Sequence, residues 1–580
     1  MSNIKRLLSY YERHKQALIV GSLCVLLSSS ISLAIPVAVG LAVDDLRLGV
    51  TDGKLLRYAG IVVGIALVQG FFLFWQRRIL VGMSRDIEYE LRNDFYAHLQ
   101  RLPLQFYQEN RVGDLMARAV NDLAAVRMLV GPAIMYSLNT LFVFTVALPM
   151  MFRISVSLTL LTLLSLPLVS IATRFFSQRI HDRFEKIQEY FATITARAQE
   201  NFAGVRVVRA YAQEEAEAKV FDSLNREYVA RSMKLIKLTA LFYPMLQTLI
   251  GVGFVAVLWY GGRLVLAGQI SVGSFVEFNL YVVRLIWPVI ALGWVVNLFQ
   301  RGMASMGRMN AIFNTEPAIK DAEGALEVGE IKGEIEFRDL TFYYPGRNAP
   351  ALEGINLKIE SGQTVAVVGH TGSGKSTMMN LVPRLLEAED GQVFIDGVPI
   401  RRISLKQLRS SIGYVPQETF LFSETVEGNI AFGVEDATPA QIEEAAEVAS
   451  IADDIAEFPD GYDTIVGERG ITLSGGQKQR TAIARAIIRK PKILILDDAL
   501  SSVDTYTEEK ILNHLRSELR GRTSLIVSHR VSTVKEADLI VVLEQGRIAE
   551  RGTHEELLER GGIYAELYQK QLLEEELAAS

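Results

Sequence analysis

Three short stretches in the C-terminal half of this 580-residue chain carry residue types that do chemistry together. The stretch GHTGSGKST comprises Gly369, His370, Thr371, Gly372, Ser373, Gly374, Lys375, Ser376 and Thr377, and matches G-x-x-x-x-G-K-[ST]. Its glycines let backbone N–H groups wrap a chain of phosphates, Lys375 reaches the outer phosphates, and Ser376 offers a hydroxyl to Mg2+. ILILDD, from Ile493 to Asp498, has the pattern of a buried strand that ends in two carboxylates, and Asp497 is placed to hold the metal through water. LSGGQ, comprising Leu473, Ser474, Gly475, Gly476 and Gln477, precedes the helical pattern TAIARAII. A serine and two glycines at a helix N-terminus make an anion site from free N–H groups and the helix dipole. The domain therefore binds a nucleoside triphosphate, and its second anion site serves a nucleotide held elsewhere.

The phosphate loop needs a strand before it and a helix after it; QTVAVV and a helix starting near Met378 supply both. From Glu334 onward short apolar strands (EIEFRDLTFYY, QTVAVVG, KILILD, TSLIVS) alternate with helices such as Gln407–Ser411 and Pro439–Ser450. That alternation predicts an α/β domain with a largely parallel sheet over 334–580. Its last part, beyond about Thr553, reads as a charged amphipathic packing helix, and residues 311–333, with Pro317 and several glycines, read as a linker.

Residues 1–310 read as a different kind of domain. Hydrophobic residues make up 49% of the chain and charged ones only 22%, and the apolar excess falls before about residue 305. The longest apolar runs are Ala17–Val37, Tyr58–Gln76, Met128–Phe152, Ile154–Thr173, Leu238–Gly262 and Phe278–Gln300, the last interrupted by Arg284. A hydrocarbon core of about 30 Å takes roughly 20 apolar residues as a helix, so six spans are expected. The first run is too long, and lacks the small-residue cleavage site, for a cleavable signal peptide. Lys5, Arg6, Arg13 and Lys15 precede the first span, which places the N-terminus in the cytoplasm, and an even number of spans returns the C-terminal half to that side. Two charged segments of helical spacing, Arg77–Arg127 and Arg174–Lys237, then become cytoplasmic hairpins. A net charge of −6 argues against nucleic acid as a partner, and the single cysteine, Cys24, rules out a disulfide within one chain.

The two Walker motifs, Gly369–Ser376 and Ile493–Asp497, with LSGGQ between them, resemble the ATP-binding cassette transporters, and six spans ahead of the cassette resemble the exporter type. The resemblance covers essentially the whole chain. It implies an all-α six-helix transmembrane domain fused to an α/β P-loop nucleotide-binding domain, with ATP and Mg2+ as cofactors. By the same resemblance Tyr344 is the aromatic that stacks on adenine, with Tyr343 as the alternative, and Gln417 is the glutamine that touches Mg2+ and the attacking water. Ser501, Ser502, Val503 and Asp504 correspond to the loop that crosses between two cassettes, and His529 to the switch histidine at the γ-phosphate. Glu468, in GERG, resembles the loop that meets the hairpins, whose coupling residues would be Phe106, Gly113, Asp114, Gly204 and Glu214. In this family each ATP is sandwiched between the Walker motifs of one chain and the signature of the other, so a chain with one cassette must pair.

One position departs from the family. The residue after the Walker B aspartate is glutamate in consensus cassettes, and here it is Asp498. Aspartate and glutamate differ by only about 0.4 in ordinary pKa, but one methylene fewer withdraws the carboxylate by about 1 Å, a misplacement that costs on the order of 100-fold in rate. With the other motifs intact, the expectation is a heterodimer, favoured over a homodimer, in which this chain's own Walker site is slow. In the membrane half, Glu277 and Arg284 are candidates for a substrate cavity because polar groups in a span are expensive, and Tyr281 and Trp287 are aromatics that could line a cavity of amphiphile size. The expected activity is export of hydrophobic or amphipathic compounds across a bacterial inner membrane, with membrane lipid as surroundings. The alternatives are a lipid flippase, an importer on the same fold, and a sensor that uses ATP as a conformational ligand.

Overall fold

The computed structural model describes the chain except residues 1, 323–327, 468–469, 471–472, 502–506, 509, 512–513, 515–520, 529 and 580, and side chains are also not described at 165–170, 174, 531–532 and 574–579. Two compact units form: one of Met1–Gln100 with Val112–Thr315, the other of Arg101–Arg111 with Glu316–Ser580.

Six helices dominate the first unit: α1 Lys15–Arg47, α2 Asp52–Leu99, α3 Ile134–Ile154, α4 Val156–Ala203, α5 Glu214–Leu266 and α6 Val272–Phe313. Side-chain caps start three of them. Thr51, Ser155 and Ser271 accept from the backbone N–H three residues on and satisfy one of the free donors of the first turn. At 48 residues each, α2 and α4 are about 70 Å long at 1.5 Å per residue, far beyond the apolar runs they contain. Five helices among the described residues are long and apolar enough to cross a membrane: Lys15–Arg47, Asp52–Leu99, Val112–Ile154, Glu214–Leu266 and Val272–Phe313. The expected fourth span, Ile154–Thr173, falls on α4, where the side chains of 165–170 are outside the described residues.

The stretch leading into α3 is broken by two π turns, Arg118–Asp122 and Leu129–Ala133, the second holding Pro132, whose missing N–H removes a helix hydrogen bond. The first turn delivers Asp122 to α6: its Oδ1 accepts from Ser305 Oγ at 2.9 Å and its Oδ2 from Arg308 Nε at 2.9 Å. At the opposite end of α6 the backbones of α1 and α6 touch. A Cβ on Gly273 would lie 2.1 Å from the Gly40 carbonyl oxygen, and one on Gly40 would lie 2.9 Å from that of Gly273. Asp44 clasps the same crossing, accepting from the Gly273 N–H at 2.7 Å and from Ser271 Oγ at 2.5 Å.

The second unit holds two sheets. The first is antiparallel, in the order β2-β1-β4-β5, from β1 Ile335–Phe342, β2 Leu352–Ile359, β4 Val393–Ile395 and β5 Val398–Pro399. The other runs β10-β9-β3-β8-β7-β6 and contains β3 Thr364–Val368, β6 Ile412–Val415, β7 Ile493–Asp497, β8 Thr523–Val527, β9 Leu539–Glu544 and β10 Arg547–Gly552. It is parallel except for the β9–β10 hairpin. The parallel sheet matches the pattern of the sequence; the separate antiparallel sheet takes up EIEFRDLTFYY, whose alternating burial gives one face to the core. Around these lie α7 Lys375–Leu381, α8 Pro439–Val448, α9 Gly475–Ile487 and α10 Ile563–Ala579. The helix after the phosphate loop begins at Lys375, ahead of Met378, because the loop itself forms the helix N-terminus that faces the anion.

Candidate nucleotide-binding site

Sheet register sets the site. Val527 of β8 pairs with Val367 of β3 on one side and with Asp497 of β7 on the other, so the acid at the end of β7 is level with the strand that feeds the phosphate loop. Ligands of open α/β sheets bind at these carboxyl ends.

Between β3 and α7 the chain must turn under its neighbours. Gly369, at φ 147°, would place a Cβ 2.2 Å from the Leu543 carbonyl oxygen, and Gly374, at φ 102°, would place one 2.7 Å from that of Ala351. Only glycine fits either position. Lys375 is buried, and its Nζ donates to the carbonyls of Gly369 at 2.7 Å and His370 at 2.9 Å, bracing the loop it serves. Burial lowers the Lys375 pKa, while the fields of Asp498 and Asp497 work the other way.

A cavity of about 390 Å³ is lined by Tyr344, Arg347, the loop from Thr371 to Thr377, Gln417, Asp497 and Asp498. Ser376 Oγ donates to Asp497 Oδ1 at 3.1 Å. Hydroxyl, carboxylate and amide oxygens are hard donors, and Mg2+ takes one or two of these together with water and phosphate oxygens, so the residues present fit that ion. Tyr344 is half-buried, its hydroxyl 3.0 Å from Thr377 Oγ1 and its ring edge-on to Phe342, whereas Tyr343 is exposed and does not line the cavity.

Asp498 is 8% exposed and has φ 52°, the left-handed region that aspartate enters more readily than most residues. Its N–H donates to the Val527 carbonyl at 2.9 Å, and its own carbonyl accepts from Ser501 Oγ at 3.1 Å. Ser501 Oγ in turn accepts from Gln479 Nε2 at 3.0 Å. Gln479 belongs to α9, the helix that the signature starts. Nothing in its residue type singled out Gln479 or Arg347; the burial of the one and the position of the other in the cavity wall are features of the fold.

The signature lies at the N-terminus of α9, with Leu473 buried, Ser474 and Gly475 exposed, and Gly476 and Gln477 half-buried. Ser474 Oγ accepts from the Gln477 N–H, and Gln477 Oε1 accepts from the Ser474 N–H at 3.0 Å, a reciprocal cap. Gln477 Nε2 donates to Asp454 Oδ1 at 2.9 Å. None of Leu473, Ser474, Gly475, Gly476 and Gln477 lines the nucleotide cavity of its own chain. His529, Glu468, Ser502, Val503 and Asp504 lie outside the described residues.

Of the hairpin residues, Phe106 packs edge-on against Tyr107 in the segment Arg101–Arg111 of the second unit. Gly113 and Asp114 stand exposed at the start of Val112–Ala117; Gly204 caps the end of α4, and Glu214 opens α5. Of the four candidates in the spans, Arg284 and Trp287 line a cavity of about 590 Å³, together with Ser28, Gln76, Arg77 and Asn139. Tyr281 is fully buried in a packed cluster with Leu33, Phe278 and Leu285, its hydroxyl donating to the Leu33 carbonyl at 3.2 Å. Glu277 sits against Gly40. Neither Tyr281 nor Glu277 reaches that cavity.

Residues 18–289 match the ABC transporter transmembrane region and residues 352–501 the ABC transporter domain. The chain is 39% identical over 575 residues to a probable multidrug resistance ABC transporter ATP-binding/permease protein, YheI, of Bacillus subtilis, covering 99% of this chain and 98% of that one. It is 35% identical over 578 residues to an ATP-dependent lipid A-core flippase of Syntrophus aciditrophicus, covering 100% and 96%. A solved bacterial Atm1-family ABC exporter with ATP bound superposes with a TM-score of 0.79 at 30% identity, covering 96% of this chain and 98% of that one. The chain belongs to the ATP-binding cassette transporters. It has the exporter fold, a helical membrane domain joined to an ATP-binding domain, and is an ATPase-coupled transporter.

Proposed function

We propose that this chain is one half of a two-chain exporter that moves hydrophobic or amphipathic compounds across the inner membrane, with its N-terminus and cassette cytoplasmic and its own Walker site the slow one. The observation that carries the reading is the division within the cassette. Asp498, the residue read as hydrolytic, lines a cavity to which the chain's own signature contributes nothing, while that signature stands intact at the head of α9 with Ser474 and Gly475 exposed. A nucleotide bound here lacks its second wall until another chain supplies one.

In the pair, Tyr344 stacks on the base, the loop N–H groups and Lys375 hold the phosphates, and Ser376, Asp497 and Gln417 hold Mg2+, which supplies neutralisation of phosphate charge. Asp498 and the switch histidine His529 attend the water, Asp498 with a short arm. Ser474 and its neighbours serve the ATP of the partner, an unlike half-transporter with glutamate after its Walker B motif and an altered signature. Closure of the two cassettes is passed on through Phe106, Gly113, Asp114, Gly204, Glu214 and Glu468.

Purification of the tagged chain from its native membrane tests the pairing: an unlike half-transporter is expected in stoichiometric amount. Robust ATPase activity from the chain alone, abolished by Asp498→Ala, would sink the reading. The flippase among the relatives favours lipid as a second cargo; stimulation of ATPase by phospholipid and not by drug-like amphiphiles would select it.

A further inference from the structure

We propose that the cavity between α1, α2, α3 and α6 binds the anionic headgroup of an amphiphile, a phosphate, sulfonate or carboxylate; this rests on the exporter reading above and narrows its cargo. The cavity, about 590 Å³, falls in the range of small-molecule sites. Among the described residues two guanidinium groups line it, Arg77 from α2 and Arg284 from α6, and no carboxylate does. Arg284 lies within the apolar run of its span, where a cation is costly and faces a bundle interior or a water-filled cavity. Among the described residues no acid stands within ion-pair distance of either arginine, although Arg127 and Arg308 in the same unit each have one.

The remaining polar groups arrive at helical spacing on the same wall: Ser28 and Ser32 on α1, Gln69 and Gln76 on α2, and Asn139 on α3. Asn139 Oδ1 is already taken as acceptor by Ser29 Oγ at 2.8 Å, which leaves its amide N–H groups as donors. Guanidinium forks and amide donors match an oxyanion and offer a cation no compensating charge. Trp287 and Leu73 give the wall an apolar side for the rest of the molecule. The contrast with the other side of α6 is direct. There Val282, Leu285, Ile286 and Val289 line a cavity of about 310 Å³ that has no charged residue among the described residues of its lining. One helix thus divides a cationic cavity from an apolar one.

The test uses the full chain in its native assembly in lipid nanodiscs, with binding read as the part of the tryptophan fluorescence change that Trp287→Phe removes, since the chain has 4 tryptophans. Taurocholate and dioctanoyl phosphatidylglycerol are the anionic probes, the one a free amphiphile and the other a lipid, and dodecyltrimethylammonium is the cationic one. Either anion is expected to bind at least ten-fold more tightly than the cation, and the tighter of the two identifies the source of the headgroup. R77Q/R284Q should abolish that preference while leaving cation binding measurable, and Arg284→Glu should reverse it. Equal binding of all three probes, or a preference unmoved by these variants, overturns the site. ATP-dependent uptake into inside-out vesicles separates the two readings. Charge-blind transport overturns the site and leaves the exporter standing; charge-selective binding with no transport does the opposite.

Discussion

At the scale of the residue, the proposed function turns on Asp498. Its backbone is left-handed, at φ 52°, and its carboxylate is one methylene short for a glutamate's position. Asp498→Glu is expected to raise ATP turnover at this chain's own site by up to about 100-fold with little change in KM for ATP, because Lys375, Ser376 and Tyr344 are untouched; steady-state ATPase of an assembly whose other site is silenced by replacing the partner's Walker B glutamate with glutamine checks it. Tyr344→Ala should cost about ten-fold in ATP affinity, the lower range of aromatic stacking on a base, measured as displacement of a fluorescent nucleotide. Gln479 makes a subtler case. It is 4% exposed and ties α9, which the LSGGQ stretch begins, through Ser501 to the carbonyl of Asp498; under the proposed function the two ends of this bridge attend different nucleotides. Gln479→Leu keeps the volume and removes the bridge, so the two sites should lose cooperativity: a Hill coefficient for ATP above one in the wild type should fall toward one while ATP affinity at saturation holds.

At the scale of the element, the π turn Arg118–Asp122 is the informative piece. The extra residue in that turn aims Asp122 at Ser305 and Arg308 of α6. Burial works against the ionised carboxylate, but the hydrogen bonds from Arg308 and Ser305 and the charge of Arg308 outweigh it, and Asp122 titrates below the usual carboxylate range. A folded-state value depressed below the unfolded one of about 3.9 means the tie contributes fully above that pH and is lost as pH falls through the depressed value. Asp122→Asn should therefore cost about 2 kcal/mol at pH 7, seen as a lower Tm, and the gap to wild type should close below about pH 4. Sequence periodicity could not announce this turn. Apolar spacing shows where a helix runs, as it did for the six long helices, but a π turn changes the register by one residue and leaves composition unchanged. The phosphate loop was legible for the opposite reason: its glycines sit where a Cβ would strike Leu543 or Ala351, so the geometry is written in residue type. The cationic cavity was half legible, since Arg284 stands out in an apolar run, whereas its companions on α1, α2 and α3 gain meaning only when the helices meet.

At the scale of the whole molecule, the segment Arg101–Arg111 belongs to the same compact unit as the cassette, while the helices on either side of it belong to the other. Chain continuity joins this segment to α2, which ends at Leu99. Phe106→Ala should leave ATP binding intact and reduce coupling, so that drug-stimulated ATPase falls several-fold more than basal ATPase; paired assays in vesicles read the ratio. The apolar faces of α2 and α5 carry the same message about surroundings: Leu67, Phe71 and Phe74 stand in the open on a chain read alone, and need lipid or a partner to cover them.

The crossing of α1 and α6 at Gly40 and Gly273 bears on how such a machine opens. Two helices whose backbones meet without room for a methyl group, with Asp44 fastened across the joint, behave as the pinned end of a pair of shears. Gly273→Ala, which wedges the pin, should therefore stall the transporter in one posture, read as transport lost while fluorescent-nucleotide binding by its cassette is retained.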